Sequence, residues 1–432
     1  MVTHMEAQKV HMAGIGGIGM SALAQYLVAE GMSVRGTDLE ESPVTEMLRA
    51  RGVEVIIGSQ VKENVLADTD LLIYSDAVKE SNPERAQAKE LEIRELSYFG
   101  MLGHVSEGKR TIAVAGTHGK TTTTGMLTRI LRDAEASPTA VIGSIIADFG
   151  SNYLEGKSDL FVVEACEYNR HFLDLSPNVL IITNLEFDHT DYFHSLEDVQ
   201  DAFRELAQMV PETGAIVTDT ENPNIIPILE GLRAPVVHYP AELTYPLRMP
   251  GEFNQMNARA AAAAARTVLP QLSNEQIAHS LSQFQGAWRR FEYKGKTSRG
   301  VDVYDDYAHH PTAVKETLRA LRSKAPGQVI VAFHPHLYSR TRDLLDGFAR
   351  SFEDADEIIV APIYAAREEN DGSVSAEILA ERIRAEGGNA TGYSSLAEVE
   401  ARLKEVGESG DVIMTMGAGD IYKIASALVE AY

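Results

Sequence analysis

Between a strand-like apolar stretch and a threonine-rich helical one lies Gly116-Thr117-His118-Gly119-Lys120-Thr121. Residues of these types in this order suit phosphate: backbone amides cradle the oxyanion, Lys120 neutralises it, and Thr121 can ligate Mg²⁺. The standard loop of this kind has a glycine six positions before the lysine. Here Val114 holds that place, so the loop is shorter than usual. Glu164 closes the apolar run Leu160-Phe161-Val162-Val163. It is expected at the C-terminal edge of a strand beside the loop, where α/β ligand sites are built and an acid can hold a metal. Thr183 to His189 repeats the arrangement. Asp188 and His189 stay open to two readings, a helix cap or satisfied core residue, and a Mg²⁺ ligand through His189.

A second glycine run, Gly14-Ile15-Gly16-Gly17-Ile18-Gly19, follows one apolar strand and opens a helix, and Asp38 ends the next strand. Such a turn lets backbone approach a diphosphate at a helix N-terminus, with the carboxylate placed for a ribose. The pattern does not say which dinucleotide or nucleotide-sugar is bound. Two further polar clusters follow apolar runs, Tyr304 to Pro311 with His309 and His310, and His334 to Thr341 with His336 and Arg340. Surface histidines and a solvated arginine are the plain alternative. That alternative does not explain why the clusters recur at successive strand ends.

The elements that must position these residues follow an α/β rhythm. Strands are expected at 10–13, 33–37 and 71–74 with helices at 20–30 and 43–51. A second block has strands at 111–115, 160–163, 179–183 and 215–218 and a helix at 120–132. A third has strands at 301–304, 329–333, 357–361 and 412–415 and helices at 312–321, 341–352 and 375–384. The alanine run Ala260 to Ala265 reads as one small-residue helix face packed closely on a neighbour. A chain of 432 residues suits three domains, with boundaries near 105 and 291.

Bulk properties narrow the partners. Acidic residues outnumber basic ones by 63 to 39, giving a formal charge of -24, which argues against nucleic acid or an anionic membrane as a partner. An anionic ligand must therefore be met locally, by amides, a few cations or bound metal. The single cysteine, Cys166, excludes an intramolecular disulfide framework and is expected as a small buried residue. Met1 to Lys9 lacks a signal-peptide pattern, and no run of 18 apolar residues follows, so a cytoplasmic protein is expected.

Together these motifs resemble the Mur ligase family over essentially the whole chain. The phosphate loop at 116–121, Glu164, Thr-Asn-x-x-x-Asp-His at 183–189, Asn254 with Asn257, Arg290-Phe291-Glu292 and Asp306 to Pro311 fall in the family's order. Residues 14–24, 305–311, 335–341 and 417–421 are similar to the members that add L-alanine. Three positions depart from the commoner pattern: Phe253 stands for a histidine, Leu337 for an arginine, and Asp76 for a small hydroxyl residue.

The resemblance implies an α/β chain of three domains. These are a Rossmann-like UDP-sugar domain at 1–105, a central P-loop ATPase with a mostly parallel sheet at 106–290, and a Rossmann-like amino-acid domain at 291–432. It implies ATP and Mg²⁺ as cofactors, and UDP-N-acetylmuramate and L-alanine as partners of a monomer or weak dimer. Gly14, Gly16, Gly17, Ile18, Gly19, Asp38 and Ser75 would hold the UDP-sugar. Gly116, Thr117, His118, Gly119, Lys120, Thr121, Thr122, Asn254, Arg290 and Asp306 would hold ATP, with Thr121, Glu164 and His189 on the metal. Lys120, Glu164, His189, His309 and Arg340 would carry the chemistry, His309 as a proton acceptor. An NAD-dependent dehydrogenase would use the first glycine turn equally well and leave the 116–121 loop unexplained. A non-catalytic sensor would have no use for the intact Lys, Thr, Glu and His. Within the family the rival reading attaches a murein tripeptide.

Overall fold

A computed structural model describes residues 7–366, 368–370 and 372–430, so Met1 to Glu6 of the N-terminal segment read above lie outside it. The chain forms two compact units. The first holds Met1–Leu185, Gln200–Pro246 and Asn257–Phe284, the second Glu186–Val199, Leu247–Met256 and Gln285–Tyr432.

The first unit contains two sheets. One is a five-stranded parallel sheet in the order β3-β2-β1-β4-β5, built from β1 Lys9–Ala13, β2 Ser33–Asp38, β3 Glu54–Ile57, β4 Leu71–Tyr74 and β5 Arg94–Ser97. Helices α1 Ile18–Ala29, α2 Pro43–Ala50, α3 Pro83–Glu90 and α4 Tyr98–Ser106 make the connections or follow the sheet. β1 and β4 are buried on both faces, as expected of strands covered from two sides, and apolar there except for His11, whose Nε2 lies 3.0 Å from the buried Glu84 carboxylate. The strand order reverses between β1 and β4, which is where a doubly wound sheet opens a crevice at its carboxyl edge. Gly14 follows β1 there and Ser75 follows β4.

The other sheet has seven strands in the order β12-β11-β10-β6-β9-β7-β8: β6 Arg110–Ala115, β7 Thr139–Ile146, β8 Ser151–Leu154, β9 Leu160–Glu164, β10 Val179–Ile182, β11 Ala215–Thr218 and β12 Val236–His238. All pairings are parallel except the β7–β8 hairpin. β6 lies between β9 and β10, so the loop leaving it is flanked by the ends of both neighbours. That loop runs into α5 (Lys120–Asp133). Helix α6 (Leu196–Met209) precedes β11, and α7 (Glu252–Val268) and α8 (Asn274–Gln283) follow β12.

The second unit is built on a six-stranded sheet, β13-β14-β18-β15-β16-β17, from β13 Glu292–Lys296, β14 Asp302–Asp306, β15 Val329–Phe333, β16 Glu357–Val360, β17 Ala390–Gly392 and β18 Val412–Met416. Only the β13–β14 pair is antiparallel. Helix α9 (Pro311–Arg322) follows β14; its N-cap, His310, accepts the Thr312 amide through Nδ1 and Pro311 fills the first turn, where a missing N–H is harmless. The carboxyl ends of β14, β18 and β15 are neighbours, so Asp306, Met416 and Phe333 hand the chain to three adjacent loops.

Several expectations are corrected. The helix expected at 341–352 is instead α10 (Tyr338–Asp343) and α11 (Leu345–Ala349), broken at Leu344. Ala260 to Ala265 are buried on every side, so the alanine run is a fully enclosed helix segment and not one face. Cys166 is half-buried, with burial foremost pushing its thiol up to about 12. Short elements such as β5 (Arg94–Ser97) and β8 (Ser151–Leu154) carry too few apolar residues to stand out in the sequence, and β3 and β12 are apolar runs of only three and two residues. Apart from these corrections, the compact units divide the span 106–290, with Glu186–Val199, Leu247–Met256 and the stretch from Gln285 onward belonging to the second.

Candidate active site

The glycine turn in the first unit is held tightly. Gly14 has φ +78, and a Cβ there would lie 3.1 Å from the Ser75 Cβ. The Gly16 amide donates to Asp38 Oδ2 at 2.7 Å, the distance at which a Cβ on Gly16 would meet the same oxygen. Gly17 is the N-cap of α1, Ile18 its first residue, and a Cβ on Gly19 would sit 2.6 Å from the Tyr98 ring. Asp38, from the end of β2, therefore braces the turn by accepting its Gly16 amide. The Gly14 and Ile15 amides donate to the Thr37 carbonyl and the Gly17 amide to that of Gly14, so the amides that favour an anion are those of the first turn of α1.

The phosphate loop shows the same economy of space. Gly116 (φ +129) would place a Cβ 2.1 Å from Thr183 Oγ1, and Gly119 (φ +81) would place one 2.2 Å from Asn257 Oδ1. Thr183 and Asn184, which follow β10, grip the loop from one side. Thr183 Oγ1 donates to the His118 carbonyl at 2.6 Å, Asn184 Nδ2 donates to the same carbonyl at 3.0 Å, and the His118 amide donates to Asn184 Oδ1 at 2.9 Å. Thr117 and Thr122 are buried at either end of the loop. The family pattern contains Thr183 and Asn184, but sequence reasoning gave them no task.

Lys120 Nζ donates to Glu167 at 2.9 Å, to the Thr117 carbonyl at 3.1 Å and to the Gly116 carbonyl. Burial opposes its charge, yet Glu167, then Cys166 and Glu164, outweigh that and raise its pKa. Glu167 is 3% exposed and was missed in the sequence; its signal was a second acid three residues past a strand-end acid. On the next residue, Thr121 Oγ1 donates to Glu164 Oε2 at 2.9 Å, and the Gly143 amide donates to the same oxygen at 3.0 Å. Glu164 is the last residue of β9. A hydroxyl and a carboxylate facing each other form a hard-oxygen pair that fits Mg²⁺.

The second unit gathers another cluster. Arg340 is 2% exposed, so the solvated-charge alternative is excluded. Its Nε donates to Asp188 Oδ1 at 2.8 Å and its Nη1 lies 2.8 Å from His336 Nδ1. Burial pushes the Asp188 carboxyl up, but the Arg340 guanidinium and the nearby imidazoles of His189, His310 and His309 hold it well below the usual range. His189 is half-buried with φ +54, and its amide donates to Asp188 at 2.7 Å.

His309 is half-buried beside this pair, 5.8 Å from the His336 ring centroid to centroid. Burial, reinforced by the Arg340 and His336 charges and opposed by Asp188, pushes its pKa well below the ordinary value. It is therefore neutral near pH 7. Its Nδ1 lies 2.9 Å from the Tyr307 carbonyl, which accepts, so the proton sits on Nδ1 and Nε2 keeps its lone pair.

Asp306 accepts the Phe291 and Ala308 amides, each at 2.7 Å, and burial raises its pKa despite the Arg290 charge. The Arg290 guanidinium lies over the Tyr307 ring at 4.9 Å. Arg289, unnoticed in the sequence, is buried; it donates to Asp305 at 2.9 Å and to the carbonyls of Gly417 and Gly419. Burial lifts Asp305 to about 6 even so. Asn254, buried in the first turns of α7, donates to the Pro250 carbonyl at 2.7 Å. The structure thus brings Lys120, Thr121 and Glu164 together in one unit. In the other it brings together Asp188, His309 and Arg340, with His189 beside them.

The sequence matches three family profiles in succession: "Mur ligase family, catalytic domain" over residues 9–110, "Mur ligase middle domain" over 114–245, and "Mur ligase, glutamate ligase domain" over 289–419. Among similar proteins, UDP-N-acetylmuramate–L-alanine ligase of Clostridium novyi is 37% identical, covering 98% of each chain. The protein of the same name from Agathobacter rectalis is 38% identical over 98% of this chain and 97% of its own. The crystal structure of UDP-N-acetylmuramate-alanine ligase MurC from Thermotoga maritima superposes with TM-score 0.82 at 28% identity, covering 98% of this chain and 99% of that one. A murein peptide ligase from Psychrobacter arcticus gives TM-score 0.77 at 26% identity, with 98% of both chains covered. Three consecutive profiles, full-length relatives and one three-sheet fold agree with the phosphate loop and its strand-end acid: the chain belongs to the Mur ligase family.

Proposed function

We propose that this chain joins L-alanine to the lactyl carboxylate of UDP-N-acetylmuramate at the expense of ATP, in the cytoplasmic synthesis of peptidoglycan precursor. The observation that carries the reading is the loop at 116–121, where Lys120 and Thr121 face Glu167 and Glu164 at 2.9 Å, in a chain whose full-length relatives bear that activity in their names. The glycine turn at 14–19 with Asp38 and Ser75 takes the UDP group. The loop takes the ATP phosphates, and the family resemblance assigns Asn254, Arg290 and Asp306 to the nucleotide.

A carboxylate and an amine do not condense in neutral water, because the oxygen is a poor leaving group. A lactyl carboxylate oxygen therefore attacks the γ-phosphorus of ATP and ADP departs, leaving an acylphosphate. Lys120, released from Glu167 by the incoming phosphates, stabilises the charge on the transferring group. Thr121 and Glu164 are the residues that would hold Mg²⁺, which when bound offsets the phosphate charge; the family resemblance adds His189 to its ligands. The neutral amine then attacks the acyl carbon and inorganic phosphate leaves with the former carboxylate oxygen. His309, neutral and with Nε2 unprotonated, accepts the amine's proton. Arg340, oriented by Asp188, offers a guanidinium edge to a carboxylate.

The test is phosphate release on mixing ATP, Mg²⁺ and UDP-N-acetylmuramate with candidate amines. L-Alanine should support it, and hydroxylamine should trap a muramyl product without any amine. Formation of AMP would refute the acylphosphate. The likeness to a murein peptide ligase keeps one rival: faster release with L-Ala-γ-D-Glu-meso-diaminopimelate than with L-alanine would reassign the chain to that reaction.

A further inference from the structure

A belt of side chains surrounds the glycine turn, and one member comes from outside the first sheet. Gly19 abuts Tyr98, with a Cβ there falling 2.6 Å from the ring. Phe99, the next residue, stacks on His171 at 4.1 Å with the planes 8° apart. His171 Nε2 reaches Asp76 Oδ2 at 2.5 Å. Asp76 follows Ser75, which abuts Gly14, so the belt closes on the turn where it began.

His171 is delivered by unusual backbone. Asn169 and Arg170 before it both have left-handed φ, 53° and 57°. Two such residues in succession persist only where the surroundings fix them. Buried Phe172, edge-on against Phe203 at 5.1 Å, anchors the segment on one side, and Arg170 pairs with Glu205 at 2.7 Å on the surface.

The partner of His171 is electrostatically awkward. Asp76 follows Ser75 at the rim of a turn that opens a helix N-terminus, whose dipole favours an anion, and a carboxylate there repels one. From this juxtaposition of Asp76, His171 and the glycine turn, we propose that His171 is a positioning residue for the UDP-sugar, screening Asp76 from the ligand's diphosphate by donating to its carboxylate. The inference rests on the UDP-sugar reading above. It deepens that reading by assigning to a residue of the stretch after β9 a part in a site otherwise built on the first sheet.

The test is calorimetric binding of UDP-N-acetylmuramate to the full chain, with KM and kcat from phosphate release. His171→Ala should weaken UDP-sugar binding and raise its KM by about tenfold, the scale of a like charge left facing an anionic ligand. It should leave kcat and the KM for ATP unchanged. His171→Gln, which still donates, should recover part of the loss. The double variant Asp76→Asn/His171→Ala should recover most of it, since no carboxylate remains to be screened. Unaltered binding by His171→Ala would overturn the proposal. So would a double variant as weak as the single one, or equal losses toward ATP and UDP-sugar, since those mark a merely structural residue. Wild-type protein that bound ATP but not UDP-N-acetylmuramate would instead overturn the functional reading, and this inference with it.

Discussion

Removing Arg340 should cost far more stability than removing an ordinary surface arginine, and the loss should centre on residues 186–199. The side chains of Arg340 and Asp188 are 2% and 6% exposed and meet at 2.8 Å. Exposed ion pairs contribute roughly 0.2 to 1 kcal/mol. Deleting one partner of a buried pair costs about 3 to 5 kcal/mol, because a carboxylate is left in the interior without its counter-charge. Asp188 belongs to Glu186–Val199, a segment that packs in the second unit, so Arg340→Ala should release it. Hydrogen exchange resolves this locally, which suits a chain of several domains where one unfolding free energy has no clear meaning. Amides in 186–199 should exchange faster by roughly two orders of magnitude or more, at 1.4 kcal/mol per tenfold. Asp188 has a depressed folded pKa, so its contribution is present above the unfolded value near 4 and is lost as pH falls through the folded one. The wild-type protection should therefore persist at pH 5. Arg340→Met with Asp188→Asn should regain much of the protection, since the cost lies in the unpaired charge. A change below about fivefold in Arg340→Ala, or protection in the double variant no better than in the single, would refute the reasoning.

Lys120→Ala should lower kcat by roughly 10² to 10³ while UDP-N-acetylmuramate still binds, measured by phosphate release and calorimetry; near-normal release would remove the loop from the chemistry. L-Alanine should exceed glycine in kcat/KM by on the order of tenfold to a few hundredfold, with bulky or acidic amino acids far behind, because one methyl contributes about 1 to 3 kcal/mol and larger groups overpack. Arg340→Lys should impair turnover nearly as much as Arg340→Ala, since a point charge cannot reproduce contacts to both Asp188 and His336. His334 is buried, and burial, with Arg289 aiding and Asp420 opposing, lowers it to about 4. A lowered histidine contributes stability above its unfolded pKa and loses it as pH falls through the folded one. His334→Asn should therefore flatten the decline in thermal stability between about pH 6.5 and 4, worth up to about 3 kcal/mol; an unchanged profile would count against it.

Strand-end placement was legible because buried parallel strands are continuous apolar runs. Leu160 to Val163 announced that Glu164 would emerge at an edge, and Thr111 to Ala115 did the same for the phosphate loop. What could not be read were contacts set by sheet order. Nothing in the sequence says that β10 lies next to β6, and so nothing says that Thr183 and Asn184 grip His118. The spacing of Glu167 after Glu164 marks a second acid near the loop, but not that it faces Lys120. The break at Leu344 was hidden for a different reason: residues 341–352 have a helical pattern throughout, and tertiary packing overrides it. Arg340 and His334 looked like loop residues because polar side chains usually are; their burial depends on Asp188 and on Gly417 and Gly419, far away in the chain.

The enclosed alanine run in α7 has a consequence for how this gene can drift. Ala260 to Ala265 each have 2% exposure or less, so every direction around the helix is filled. One base change in an alanine codon yields Val, Thr, Ser, Pro, Gly, Asp or Glu. Valine and threonine are too large for such a site, aspartate and glutamate bring a charge, proline breaks the helix at a cost of about 3 kcal/mol, and glycine loosens it by about 1. Serine alone is nearly the right size, and it carries a hydroxyl that must find a backbone acceptor one turn back. Almost every mutational exit from these six codons is therefore closed, and the segment should stay alanine-rich through packing, charge burial and helix propensity together.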